Sequence, residues 1–244
     1  MAEVSRRVLR DGHLSLRLRG PPQDERKLFG PPYQRHAAPR NSGAKAFPTH
    51  WQGNHKPKET SAVTKVMILA TDGFEQSELT KPKANLEKAG IETTVVSLKS
   101  GEIKGWQHTD WGDPVKVDLT IDQASADDFD ALMLPGGQMN PDKLRMDERA
   151  VQIVKDFADA DKPIAAICHG PWLLVEADIV DGKTVTSWPS IRTDLMNAGA
   201  DVVDREVVTD GNLITSRKPE DIPAFSKALI EKLGVKVSGE MERA

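Results

Sequence analysis

The only cysteine of this chain, Cys168, closes the short apolar run Pro163–Ile167 and is followed by histidine, glycine and proline. A thiol where a strand turns sharply into a helix feels the positive field of the helix N-terminus, which favours the thiolate and lowers its pKa. The same turn lifts the side chain clear of the sheet, as in the nucleophile elbow of hydrolases, although no Gly-x-Ser-x-Gly is present. A free cysteine is also a small buried hydrophobe in many proteins, so position and neighbours favour a reactive role without requiring it. His169 offers three roles, general base, charge stabiliser or merely a backbone N–H donor, with a structural, hydrogen-bonded ring as the plain alternative. Lying next to the nucleophile, its side chain is expected to point away unless the turn is tight, and it then needs an orienting acid from elsewhere.

Two further segments carry chemistry. Thr71-Asp72-Gly73-Phe74-Glu75 follows one apolar run and Pro135-Gly136-Gly137-Gln138 follows another. An ionised Glu75 beside a thiolate would raise the cysteine pKa and oppose activation. The two are compatible if Glu75 keeps its proton and donates a hydrogen bond to the sulfur. The alternative is an acid at a helix start with no function, a reading that suits Glu78 better. Gly136 and Gly137 let backbone amides approach a reacting oxygen, forming an oxyanion hole with an amide near His169. A plain turn explains them equally well until their location is considered. Ser187 and Ser190, on either side of Trp188-Pro189, read as a structural turn lining the pocket rather than as a second nucleophile.

The elements that must position these residues alternate. Val63–Ala70, Thr93–Leu98, Ala131–Leu134, Pro163–Ile167 and Leu213–Ser216 are short apolar, β-branched runs that read as buried strands. Leu79, Leu86 and Ala89 fall on one helical face that Gly90 stops, and further helices are expected near Glu148–Ala160, Trp172–Ala177, Ile191–Ala198 and Asp221–Leu233. Such alternation specifies an α/β fold, a mostly parallel sheet with helices on both faces. Ligands of such sheets bind outside the carboxyl ends of the strands, so the carboxylate, the glycine pair and the thiol land on one rim. Gly101–Val117, with Trp106, His108 and Trp111, breaks the alternation and reads as a hairpin or long loop, an oligomer contact or a pocket wall.

Composition narrows the function classes. The chain has 244 residues, 33 Lys+Arg and 37 Asp+Glu, and no apolar stretch near the ~18 residues a membrane span needs. A single cysteine forbids an intrachain disulfide and suits a reducing, cytoplasmic compartment. Residues 1–60 hold 12 of the basic and 5 of the acidic residues, which leaves 21 and 32 for 61–244. With 7 of the 16 prolines and isolated apolar residues, 1–60 read as a disordered basic extension ahead of one α/β domain at 61–244. The acidic remainder argues against a stable nucleic-acid partner. His108 and His169 are the only histidines after residue 60, and no H-E-x-x-H occurs, so no metal centre is expected. Gly-x-Gly-x-x-Gly and the P-loop are also absent, and no cofactor is expected.

Five collinear blocks resemble the ThiJ/PfpI superfamily, and within it the PfpI-like branch of intracellular cysteine proteases, protein deglycases and general stress proteins. They are D-G-F-E-Q-S-E-L at 72–79, D-A-L-M-L-P-G-G-Q-M-N-P-D-K-L-R at 130–145, K-P-I-A-A-I-C-H-G-P-W-L-L at 162–174, T-S-W-P-S-I-R-T-D-L at 186–195 and D-G-N-L-I-T-S-R at 210–217. The resemblance covers 62–234 and none of 1–60. It implies a flavodoxin-like sandwich that assembles into homodimers or hexamers. It makes Cys168 the nucleophile, Glu75 its protonated partner, and His169 the residue beside the nucleophile. Gly136, Gly137, Gly170 and Trp172 become the oxyanion and substrate-binding region. Asp142 matches the acid that a neighbouring subunit supplies in peptidase-type members, although it is Asp where Glu is expected, in a segment one residue longer. Triad glutamine amidotransferases share the thiol turn but need a second histidine near the carboxyl terminus, and no histidine follows His169. The implied activity is cofactor-free hydrolysis by a thiol, on peptides or on dicarbonyl-derived adducts and methylglyoxal. A stress-linked redox sensor or holdase without turnover is the alternative from a different class.

Overall fold

A computed structural model describes residues 63–235; the expectation of a disordered extension over 1–60 lies outside them. The described residues begin with β1 (Lys65–Leu69), β2 (Phe74–Glu75), α1 (Gln76–Lys88) and β3 (Glu92–Ser97). The hairpin β4 (Glu102–Gln107) and β5 (Asp110–Lys116) follows, then β6 (Leu119–Thr120), β7 (Ala131–Leu134), α2 (Met139–Leu144) and α3 (Glu148–Asp159). After β8 (Ile164–Ile167) come α4 (Pro171–Glu176), β9 (Thr184–Val185), α5 (Arg192–Asn197) and β10 (Asp201–Val202). The described chain closes with β11 (Val207–Asp210), β12 (Leu213–Ser216) and α6 (Ile222–Lys232).

Seven strands form the central sheet in the order β11-β12-β8-β7-β1-β3-β6, parallel throughout except for β11 against β12. The α/β expectation therefore holds. Its physical basis lies in the strands: β1, β7 and β8 are buried on both faces, which is why they read as unbroken apolar runs rather than alternating ones. Successive residues of β1 serve opposite layers. Met67 and Leu69 pack with α3 residues Ala150, Val154 and Phe157, while Val66 and Ile68 pack with Leu79 and Leu86 of α1 and Phe225 and Leu229 of α6.

Helix α1 stops at the Ala89-Gly90 pair, where the Gly90 N–H bonds the Glu87 carbonyl and φ is 82°. Gly101–Val117 is the expected hairpin: β4 and β5 pair antiparallel and β2 adds in parallel to β4. On it Trp106 and Trp111 meet edge to face at 5.5 Å. Six elements had no counterpart in the periodicity, namely β2, β6, β9, β10, β11 and the six-residue α2, none long or apolar enough to stand out. Because β1 pairs with β3 on one side and β7 on the other, the connections diverge there. The crevice that results lies beyond the ends of β1, β7 and β8.

Candidate active site

Cys168 lies at the end of β8 with φ 62°, one of four non-glycine residues with positive φ among those described. A left-handed cysteine is a strained conformation that surrounding bonds must hold. They do so here. The Cys168 N–H bonds the Ser216 carbonyl at 3.0 Å, its carbonyl accepts from Trp188 N–H at 3.0 Å, and Gly170 N–H bonds Ile167 at 2.8 Å. Gly170 is required by space: a Cβ there would lie 2.6 Å from the Leu134 carbonyl oxygen and 2.9 Å from that of Ile167. Its N–H is committed to Ile167, so Gly170 shapes the elbow and offers no free donor to an oxyanion.

The carboxyl group beside the sulfur belongs to Glu78, not Glu75. Glu78 is fully buried, touches the Cys168 thiol, and accepts from Gly136 N–H at Oε2, 3.0 Å. Glu75 instead sits at the N-cap of α1 in extended conformation, where its Oε2 accepts from Glu78 N–H at 2.9 Å and Ser77 Oγ–H at 2.6 Å. The reversal comes down to one residue of helix boundary. Glu75 and Leu79 would share a face if the helix began one residue earlier; because it begins at Gln76, the Glu75 side chain folds back to cap it. Glutamate is not a favoured cap, so nothing in the composition of this turn announced the role.

Burial, and then the neighbouring Glu75 charge, push the Glu78 carboxyl up to about 8, while the nearby Cys168 thiol and the Gly136 and Gly137 N–H groups pull the other way. Its Oε1 is buried without a hydrogen-bond partner. A bare carboxylate oxygen in that position is costly, and a proton on the group removes the cost. Burial likewise raises the Cys168 thiol, and the Glu78 charge adds to it, while the N–H groups of Gly137 and His169 work the other way. The expected depressed thiol is thus corrected: desolvation of a cysteine that is 6% exposed outweighs the dipole of a helix only six residues long. The resting group is a thiol that needs a base.

His169 supplies one. Its ring turns back toward the sulfur, contrary to the expectation that it points away, and Nδ1 lies 3.2 Å from Cys168 Sγ. Nε2 faces Ser190 Oγ at 3.2 Å. Trp188 stacks on the ring at 6.0 Å and 26°, and Trp172 meets it edge-on at 5.3 Å. Trp172 is held in turn by its Nε1–H bond to Asp194 at 2.8 Å and lies under the Arg145 guanidinium at 5.6 Å. Burial pushes the His169 pKa below the ordinary imidazole value, so the ring is neutral and able to accept a proton.

The glycine pair is drawn in as expected but used differently. Gly136 N–H is spent on Glu78, so it is not a free oxyanion donor, whereas Gly137 N–H faces both the Glu78 carboxyl and the sulfur. The turn is locked by Asn140, which sequence reasoning passed over. Its Oδ1 accepts from Thr71 N–H at 2.7 Å, and its Nδ2 donates to the Pro135 and Gly136 carbonyls at 2.9 and 3.3 Å. One amide thereby ties the end of β1 to the end of β7. Asn140→Ala is expected to cost about 3 kcal/mol, because the Thr71 N–H and the Pro135 carbonyl lose the Asn140 amide while the Gly136 carbonyl keeps only the Glu75 N–H; urea unfolding followed by tryptophan fluorescence measures it.

Asp142 lies exposed on α2 and makes no side-chain hydrogen bond or ion pair among the described residues. Among the described residues no carboxylate bonds His169. Among the described residues no group of three His, Cys, Asp or Glu side chains could hold a metal, and no helix is long and apolar enough to cross a membrane.

This combination of thiol elbow, buried carboxyl and adjacent histidine coincides with a match of residues 64–232 to the DJ-1/PfpI family. The chain belongs to the DJ-1/PfpI family. It is 49% identical over 173 residues to general stress protein 18 of Bacillus subtilis, covering 69% of this chain and 98% of that one. It is 42% identical over 169 residues to deglycase PfpI of Pyrococcus furiosus, covering 69% and 99%. Among solved structures, a two-domain protein of Anabaena variabilis with DJ-1/ThiJ/PfpI-like and ferritin-like domains superposes with a TM-score of 0.68 at 38% identity. That match takes in 74% of this chain and 52% of the other, so the chain spans about half the length of that protein.

Proposed function

We propose that this DJ-1/PfpI-family chain is a cofactor-free cysteine hydrolase that acts on dicarbonyl-derived adducts or methylglyoxal, with peptides as a further substrate class, in a stress-protective role. The observation that carries the reading is Cys168 Sγ at the strained elbow with His169 Nδ1 at 3.2 Å and the Glu78 carboxyl against it. Relatives named as a deglycase and a general stress protein support it.

The chemistry follows from the resting state of the site. As Sγ attacks an aldehyde carbon, the S–C bond forms and the carbonyl π pair moves to oxygen. The thiol proton passes to His169 Nδ1, which then protonates the new alkoxide to give a hemithioacetal. Glu78, protonated at neutral pH, donates toward the sulfur and stabilises its negative charge. Gly137 N–H is the backbone donor best placed for developing charge. A small carbonyl suits this site better than an amide, since expelling an amine requires a firmly held acid, and none bonds His169 among the described residues. Assembly into a homodimer or hexamer would let Asp142 of the partner subunit take that part. We place the protein in the cytoplasm, where the thiol stays reduced.

The test is methylglyoxal consumption at neutral pH without glutathione, beside Cys168→Ser. Turnover by the native chain that disappears in the variant is the expected outcome. No turnover by the native chain would remove the carbonyl reading and shift the weight to peptides or to a redox sensor.

A further inference from the structure

The assignment of His169 as base leaves open which ring nitrogen carries its single proton. Only a lone pair on Nδ1 can receive the Cys168 proton, so the proton must sit on Nε2. Among the described residues the one side-chain polar partner of Nε2 is Ser190 Oγ, 3.2 Å away. Asp194, the carboxylate nearest in sequence on the helix that follows, is occupied by Trp172 Nε1–H. Trp172 and Trp188 flank the ring at 5.3 and 6.0 Å. Ser190 itself lies in a 3-10 turn, Pro189–Ile191, anchored where Trp188 N–H bonds the Cys168 carbonyl and Ile191 N–H bonds the Trp188 carbonyl.

We propose that Ser190 is a positioning residue whose hydroxyl oxygen accepts the His169 Nε2–H, holding the imidazole in the tautomer that presents its Nδ1 lone pair to the Cys168 thiol. The chain therefore carries within one protomer a Cys168–His169–Ser190 relay in which serine does the orienting work that an acid does in other triads. In the transfer, the S–H bond breaks, its electron pair stays on sulfur, and the proton joins Nδ1. The resulting imidazolium keeps its Nε2–H on Ser190, so no second proton moves. A neutral acceptor stabilises that cation less than a carboxylate would, which suits hemithioacetal formation, where His169 holds the proton only briefly, more than amide cleavage.

This inference rests on Cys168 and His169 as the reacting pair, but it can be read without any substrate. In full-length protein labelled with ¹⁵N-histidine, with His169→Gln to assign the signals, two-bond ¹⁵N–¹H correlations report the His169 tautomer. Iodoacetamide labelling reports thiol reactivity, and the chain has no other cysteine to confuse it. The native protein should show the Nε2–H form. Ser190→Ala should convert it to a mixture or to Nδ1–H and slow alkylation by roughly tenfold, the worth of one neutral hydrogen bond. Ser190→Thr, which keeps the hydroxyl, should restore both. An Nδ1–H form in the native protein, a tautomer unchanged in Ser190→Ala, or a loss that Thr fails to restore would each overturn the assignment. Absence of methylglyoxal turnover alone would count against the proposed function and leave this result standing.

Discussion

Glu78→Gln is expected to remove a pH dependence of stability that the native protein shows between pH 4.5 and 8. The buried carboxyl titrates near 8 in the fold against an ordinary value of 4.5. Within that window the folded protein holds a proton that the unfolded chain has released, so the native state binds more protons and stability falls as pH rises. The slope has an upper limit of about 1.4 kcal/mol per pH unit, and it flattens above the folded pKa. Glutamine has the same shape, can still accept from Gly136 N–H, and has no charge to bury. Urea midpoints at half-unit pH steps should therefore fall in the native protein and lose that component in the variant. A native curve already flat over the window would mean that Glu78 ionises normally in the fold. In turnover, Glu78→Ala should cost roughly 100-fold, the lower range for a positioned proton donor. Glu75→Ala should leave turnover unchanged and cost about 1 kcal/mol of stability through its lost helix cap. An activity loss at Glu75 that exceeded the one at Glu78 would overturn the assignment.

Gly136→Ala should damage the site severely through a single added methyl group. Its Cβ would lie 2.5 Å from Glu78 Oε2, 2.6 Å from Cys168 Cβ and 2.7 Å from the Ile167 carbonyl oxygen. The carboxyl could move, but the end of β8 cannot without losing the elbow, so a destabilisation of about 3 kcal/mol or more is expected, with loss of turnover. Gly90→Ala is the matched control. Its φ is 82° and nothing lies within 4 Å of the added carbon, so only the left-handed backbone penalty of ~1 kcal/mol applies. Thermal unfolding of the two variants separates steric exclusion from backbone strain. Equal losses would show that the close packing at Gly136 is relieved at little cost.

Much of this architecture was legible in one dimension. β7 and β12 occupy the runs Ala131–Leu134 and Leu213–Ser216 read as strands, and α3 covers Glu148–Asp159, because residues buried on both faces leave unbroken apolar runs and one-sided helices leave a 3.6-residue period. That Cys168 ends a strand and enters a sharp turn also followed from its neighbours, as did the shared rim of the three strand ends. Everything decided by side-chain direction did not. Glu75 and Glu78 are three residues apart in one acidic turn, and a single residue of helix boundary sends one to a cap and the other to the sulfur. Ser190 reaches His169 across 21 positions and Asn140 reaches Thr71 across 69. Neither pairing has a local signature, because these bonds depend on where separate connections return to the sheet. The sign of the thiol's pKa shift was likewise a tertiary matter. A helix start can be read from sequence, but the desolvation that outweighs its dipole exists only once both layers have closed over the strand ends. Residue type and spacing determined that a thiol would stand on this rim; packing alone decided which carboxyl, which ring nitrogen and which hydroxyl would meet it.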